Sequence, residues 1–254
     1  MKKLLCLFSA SLLVLTSCSK DDSSSNYTIV VLPNKIVFTG SDGVKNTSTV
    51  TYDGNKIVQV LGGGYKSVYS YTGDLITNLK KYYGDNLESE TVYTYNNNKL
   101  VEIIENNIGE LTKCKTSYTH NANGTILKET FSIDKISNVE TKNVGSYKLE
   151  FTYGNMTQNS YMVGSDVLST TTFFYDDANS PFKNILGFSK LLDDSSASNN
   201  QIKKATASLN GSYITTSSYK YNDKRYPTEE TKTYSYEGGT SSVEYFYAEI
   251  KMPF

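Results

Sequence analysis

Tyr93-Thr94-Tyr95-Asn96-Asn97-Asn98-Lys99-Leu100 is the stretch on which the fold turns. Side chains at i and i+2 of a strand point to one face, so Tyr93 and Tyr95 lie side by side. Asparagine tolerates the positive φ of a tight hairpin turn, and Leu100 opens an aliphatic return strand. The unit is a β-hairpin, and it recurs. Tyr52-Asp53-Gly54-Asn55-Lys56-Ile57 and Tyr69-Ser70-Tyr71-Thr72-Gly73-Asp74-Leu75 come before it. Looser copies begin at Tyr118, Phe151, Phe173, Tyr219 and Tyr234.

The segments between these units are dense in Thr, Val, Ile and Tyr, which suit a pleated surface. Repetition at a spacing of roughly 20–25 residues marks a modular array in which no unit buries its face alone. The expectation is an all-β fold, an antiparallel up-and-down meander of about 14–17 strands, strongly twisted and curled. The repeat itself does not state whether that sheet closes on itself. Stacked hairpins set the aromatic pairs beside one another as cross-strand ladders.

The beginning of the chain carries a different message. Lys2 and Lys3, an apolar run from Leu4 to Leu15, and Leu15-Thr16-Ser17-Cys18 have the layout of a secretory signal. The run is too short for a transmembrane helix, which needs about 20 residues. Leu-Thr-Ser before cysteine resembles the lipobox of bacterial lipoproteins, which implies that Cys18 is acylated and becomes the first residue of the mature chain. Residues 1–17 are then signal peptide, 18–26 lipid anchor and flexible polar tether, and 27–254 a single β-repeat domain. Lys20-Asp21-Asp22 resembles the export signal that sends lipoproteins of Bacteroidetes-type bacteria to the cell surface. That implies outer-membrane attachment, surface exposed, with the membrane as a partner through lipid.

The unit Tyr-x-Tyr-(Asp/Asn)-x-x-x-Leu resembles the YD repeat of RHS-type proteins over most of residues 47–250. It departs from that pattern where glycine and arginine usually follow the turn, as at Asn98 and Lys99. With the lipobox, the chain resembles the uncharacterised YD-repeat-like lipoproteins of Flavobacterium and its relatives. The resemblance implies a spiralling hairpin sheet and a location, but no reaction.

Residues 180–192 break the repeat. Ser180 is placed as an N-cap and Pro181 as a first helical residue, with Phe182, Ile185, Leu186 and Leu192 at helical spacing. This predicts one short amphipathic helix over 181–192, covering an open face or edge of the sheet. Residues 193–201 read as an exposed loop.

The composition narrows the chemistry. Once Cys6 leaves with the signal and Cys18 takes lipid, only Cys114 of the three cysteines remains, so no internal disulfide forms. Cys114 reads as a buried strand residue; a thiol made reactive by Lys113 and Lys115 is the sharper alternative. With 25 basic and 26 acidic residues there is no basic stripe for phosphates, which excludes nucleic acid as a partner. The single histidine, His120, reads as a packing residue beside a turn. No serine lies in a nucleophile elbow to work with it. One histidine and one spare cysteine supply no zinc site. Asp176-Asp177-Ala178-Asn179 and Asp193-Asp194 lack a calcium-loop pattern.

The reading is therefore a module that is not an enzyme, has no cofactor, metal or catalytic residue, and acts by binding a glycan or an envelope protein. Its alternative role is a structural subunit of an envelope uptake or secretion complex. Twenty-two tyrosines without a tryptophan serve chiefly as cross-strand cement. Tyr69, Tyr71, Tyr93, Tyr95, Tyr219 and Tyr221 form the candidate ligand-stacking face. Alternating strands and Phe254 also prompt an integral outer-membrane barrel, against which stand the lipid anchor and the Lys, Glu, Thr and Asn on both strand faces.

Overall fold

The structure is a computed structural model, and it describes residues 27–236 and 238–253. Cys18 and the Lys20-Asp21-Asp22 segment lie outside the described residues. The first half of the domain contains β1 (Tyr27–Thr39), β2 (Lys45–Asp53), β3 (Lys56–Gly62), β4 (Tyr65–Thr72), β5 (Leu75–Tyr83), β6 (Asn86–Asn96), β7 (Lys99–Asn107), β8 (Thr112–His120) and β9 (Ile126–Asp134). The second contains β10 (Glu140–Lys142), β11 (Ser146–Thr152), β12 (Asn155–Val163), β13 (Asp166–Asn179), β14 (Asn199–Ser208), β15 (Gly211–Tyr221), β16 (Pro227–Tyr234) and β17 (Thr240–Pro253).

Each strand pairs antiparallel with its neighbour in sequence, except that β9 passes to β11 and the short β10 only flanks β9. The ring then closes, because β1 pairs with β2 on one side and with β17 along its whole length on the other. Sixteen strands form a closed barrel. This corrects the open, curled YD-repeat sheet, which would leave β1 and β17 as free edges. Closure removes both edges and buries the face on which every hairpin places its apolar residues.

A recurring bulge shows how the sheet curls so far. In the hairpin of β6 and β7, Thr94 faces Glu102 but Tyr95 faces Leu100, leaving Val101 as an extra residue. The same slip leaves Val58, Thr77, Thr157 and Thr228 extra in their return strands. A bulge bends its strand and increases the right-handed twist, so repeating it at one end of successive hairpins rolls the sheet towards closure. The turn beyond Tyr95 has the predicted character: Asn97 and Asn98 have φ of 49° and 59°.

The aromatic pairs and the first aliphatic residue of each return strand point inward. Ile57, Ile76, Leu100, Ile126, Leu149 and Met156 are buried, with Ile76 and Leu100 no more than 1% exposed. Tyr52, Tyr69, Tyr71, Tyr93 and Tyr95 pack against them. All of these lie in one half of the barrel. In the other half the inward residues are wet: Tyr65, opposite Gly62, and Tyr83, opposite Tyr65, are each more than half exposed.

Residues 180–198 enter the barrel and close the apolar half. They do not form the predicted amphipathic helix. They run instead as a chain of i to i−3 turns, Ile185 onto Phe182, Phe188 onto Ile185 and Leu191 onto Phe188. Two short 3-10 turns, at Phe188–Lys190 and Asp194–Ser196, are their only helical pieces. Gly187 interrupts any helix with φ 75°, because its backbone passes against the turn between β4 and β5. Neighbouring polar groups are given to the barrel: Leu186 N donates to Asn55 O, Tyr71 OH donates to Leu186 O, and Asn184 Nδ2 donates to Val31 O. Ile185 and Leu191 complete the core. The segment is a plug rather than an outer cover, and Ser196, Ala197 and Asn200, expected in an exposed loop, are buried.

Candidate functional site

The site follows from which way each strand residue points. With Tyr93 and Tyr95 inward, the alternate residues of every strand form the outer wall, and that wall carries ion pairs. Lys80 lies opposite Glu90 with 3.5 Å between charged atoms, and Lys220 opposite Glu229 at 2.8 Å. Lys115 reaches Glu102 and Glu140, and Lys148 pairs with Glu150 at 2.7 Å. Lys66 stands over Tyr82 and Lys203 over Phe174, each pair sharing the outer side. A lysine on the lipid face of a barrel at the bilayer midplane costs about 2–4 kcal/mol. Such lysines stand at several places around the circumference, beside exposed apolar residues such as Leu61, Val92 and Phe174.

On the inside, the plug and the aromatic residues fill one half of the barrel. The other half carries hydroxyls, among them the Thr171–Thr206 pair at 2.9 Å. Tyr27 and Pro253 both lie at the floor end, where Met252 touches the β2–β3 turn at Gly54.

A recess of about 210 Å³ lies between the plug and the wall formed by β14 to β17. Glu230, 6% exposed, is its polar centre. Oε1 accepts from Ser217 Oγ at 2.8 Å and from Tyr219 OH at 3.1 Å, and Oε2 accepts from Tyr245 OH at 3.2 Å. Lys232 Nζ stands 3.3 Å from Oε1. On the plug side Asp194 pairs with Lys204 at 3.0 Å. Burial, reinforced by the Glu230 charge, pushes the Tyr219 and Tyr245 hydroxyls far above the ordinary tyrosine range, so both remain donors.

The six tyrosines singled out in the sequence all lie on the inner side. Tyr69, Tyr71 and Tyr93 pack on the core that holds the plug, and Tyr95 on the adjoining cluster. Tyr219 lines the recess, while Tyr221 sits at its margin with its hydroxyl on the Asp176 carboxylate. Burial raises Tyr71 and Tyr95 to about 12, with the Ile57 amide partly offsetting the shift at Tyr71.

His120 Nε2 lies 2.8 Å from Leu100 O, a packing role. Cys114 is exposed rather than buried, on the inner side opposite Glu105. Partial desolvation and Glu105 push its thiol up, which disfavours the thiolate. Asp176 is engaged by the amides of Ala178 and Asn200, and Asp177 by Arg225. Among the described residues no cluster of three or more His, Cys, Asp or Glu is placed to hold a metal ion. The recess residues Asn200, Glu230 and Lys232 had no signal in the sequence beyond strand alternation.

A closed antiparallel barrel of sixteen strands defines a porin-like class of fold. No family model and no curated protein matches the chain. Among solved structures it is similar to a porin-like protein from Bacteroides vulgatus, with a TM-score of 0.59 and 15% identity over 86% of this chain and 99% of that one. A porin-like protein from Bacteroides uniformis gives a TM-score of 0.51 and 12% identity over 85% and 96% of the two chains. At these identities the likeness is one of fold. It replaces the resemblance to YD-repeat proteins.

Proposed function

We propose that the protein is an outer-membrane lipoprotein whose barrel stands in water and binds a glycan in its blind lumen, without catalysing a reaction. One observation carries this reading: a barrel with an ion-paired outer wall and a plugged floor is a cup, not a channel. The fold shared with porin-like proteins supports the outer membrane as its location. The Cys18 lipobox supplies the means of attachment, since acyl chains anchor at about 0.8 kcal/mol per buried methylene. Tyr27 begins β1 at the floor end. A tether over residues 18–26 therefore holds the floor towards the membrane and turns the mouth away. The acidic pair Asp21-Asp22 favours the outer leaflet of the cell surface.

The lumen suits a glycan because it offers tyrosine faces and hydroxyls together, which match the apolar and polar sides of a sugar. The purified protein on a glycan array tests the ligand class. Saturable binding to defined oligosaccharides is expected, and a blank array would remove the glycan reading. Protease accessibility on intact cells tests the orientation: Asp21→Ala with Asp22→Ala should protect a protein that is cleaved in the wild type. Equal cleavage of both would sink surface export.

A further inference from the structure

The two ends of the barrel differ in the connections between their strands. At the plugged end the turns are made of Asp, Asn and Gly, as at Asp53-Gly54-Asn55, Gly73-Asp74 and Asn97-Asn98. At the opposite end, large apolar side chains stand in water. Val44, Leu111, Ile136, Val167, Leu209 and Tyr236 lie in or beside six different connections there, from 55% exposed at Val44 to 87% at Ile136. Among the described large apolar residues at least 55% exposed, only Tyr153 lies at the plugged end. Turn formation does not call for such residues, since Asp, Asn and Gly do that work better. Their backbone is also held in place: the Lys135 amide donates to Leu111 O at 3.0 Å, and the Ile136 amide to Asp134 Oδ1 at 3.0 Å. Apolar side chains gathered on one exposed surface mark a place that another molecule covers.

The charges at this end say what that molecule is. Asp42, Asp85 and Glu110 lie in the same connections and Asp166 beside one; all are exposed, and none forms an ion pair among the described residues. The nearby lysines are committed: Lys135 Nζ donates to Asn107 O, and Lys45 pairs with Glu244. We infer that this end is a docking surface for a protein partner that presents aliphatic side chains framed by lysine and arginine. A second copy docked through the same surface would set carboxylates against carboxylates. Anionic lipid would meet the same repulsion. On the anchoring proposed above, the bilayer is also out of reach. Residues 19–26 extend to about 28 Å, whereas the 13 residues of β1, tilted by about 40°, make a wall of about 33 Å.

Photo-crosslinking in cells that produce the full chain is the first test. A photoreactive residue at Ile136 or Leu209 should give a discrete protein adduct, and one at Tyr153 should give none. Glu110→Lys with Asp166→Lys should lower the yield of that adduct, whereas Asp53→Lys with Asp223→Lys, the same charge change on exposed residues of the plugged end, should not. The second test uses purified protein and a labelled peptide of alternating leucine and lysine, with a leucine–glutamate peptide as comparator. The lysine peptide should bind at least about tenfold more tightly, and Glu110→Lys with Asp166→Lys should erase the difference. Leu111→Ser with Leu209→Ser keeps the charges and should weaken the same binding. An adduct of twice the mass of the chain, an adduct with lipid alone, equal adducts from Tyr153, or no adduct overturns the inference. So does equal binding of the two peptides, or binding that neither pair of substitutions at this end alters.

Discussion

Replacing Gly187 by alanine probes how the plug is seated. Gly187 has φ 75°, and a Cβ there would stand 2.7 Å from the carbonyl oxygen of Asp74 and 3.2 Å from the amide nitrogen of Ile76. Those atoms are backbone in a paired hairpin and cannot swing aside. A non-glycine residue in the left-handed region costs about 1–2 kcal/mol, and forcing extra volume into a packed site adds about 1–3 kcal/mol. Gly187→Ala should therefore lose about 2–5 kcal/mol. Gly73 is the matched control: φ is 59° and nothing lies within 4 Å of its Cβ position. Gly73→Ala should lose only the conformational part, about 1–2 kcal/mol. Urea unfolding followed by tyrosine fluorescence and by far-ultraviolet dichroism gives both values. The difference between the variants isolates the contact of the plug with the barrel. Two variants within about 0.5 kcal/mol of each other, the scatter of ordinary surface substitutions, would refute a seated plug.

Three other outcomes follow from the same geometry. Ile76 is fully buried, so Ile76→Ala should cost about 2–5 kcal/mol in the same urea assay, while Leu61→Ala on the outer wall, where Leu61 is 41% exposed, should cost far less. Tyr71 and Tyr95 are raised from 10.0 to about 12, so the folded state holds these protons more tightly than the unfolded chain. Their stabilisation is whole below pH 10 and is lost between pH 10 and 12; ultraviolet titration should show a late-ionising class of tyrosines, and a single transition near pH 10 in the folded protein would contradict their burial. Lys115→Met breaks the outer pairs to Glu102 and Glu140 and should lower stability by no more than about 1 kcal/mol, a loss that should shrink in high salt.

The hairpins were legible because each aromatic pair, turn and aliphatic return is a local pattern. Tyr93, Tyr95 and Leu100 share a face in the sequence and in the barrel. Closure was not legible. It depends on bulges at Val58, Thr77, Val101, Thr157 and Thr228, and nothing in those residue types marks a bulge. The helical spacing in 181–192 was genuine but was outweighed. Ile185 and Leu191 are buried by turns that leave the Leu186 N–H and carbonyl to Asn55 and Tyr71 of the barrel, and a regular helix would spend those groups internally. The recess was invisible for a simpler reason: Asn200 comes from the plug end of β14, whereas Glu230 and Lys232 come from β16, two strands further round. The six tyrosines share an inner face in which only Tyr219 and Tyr221 stand near that recess.

In the proposed function, a barrel of porin-like fold turns an ion-paired outer wall to water. Sedimentation velocity of residues 19–254, made without the signal segment and Cys18, in detergent-free buffer tests this. A monodisperse, β-rich species that stays in solution without acyl chains is expected. Aggregation that only detergent reverses, with a bound detergent belt and ion conductance in planar bilayers, would show that the wall faces lipid and would contradict it.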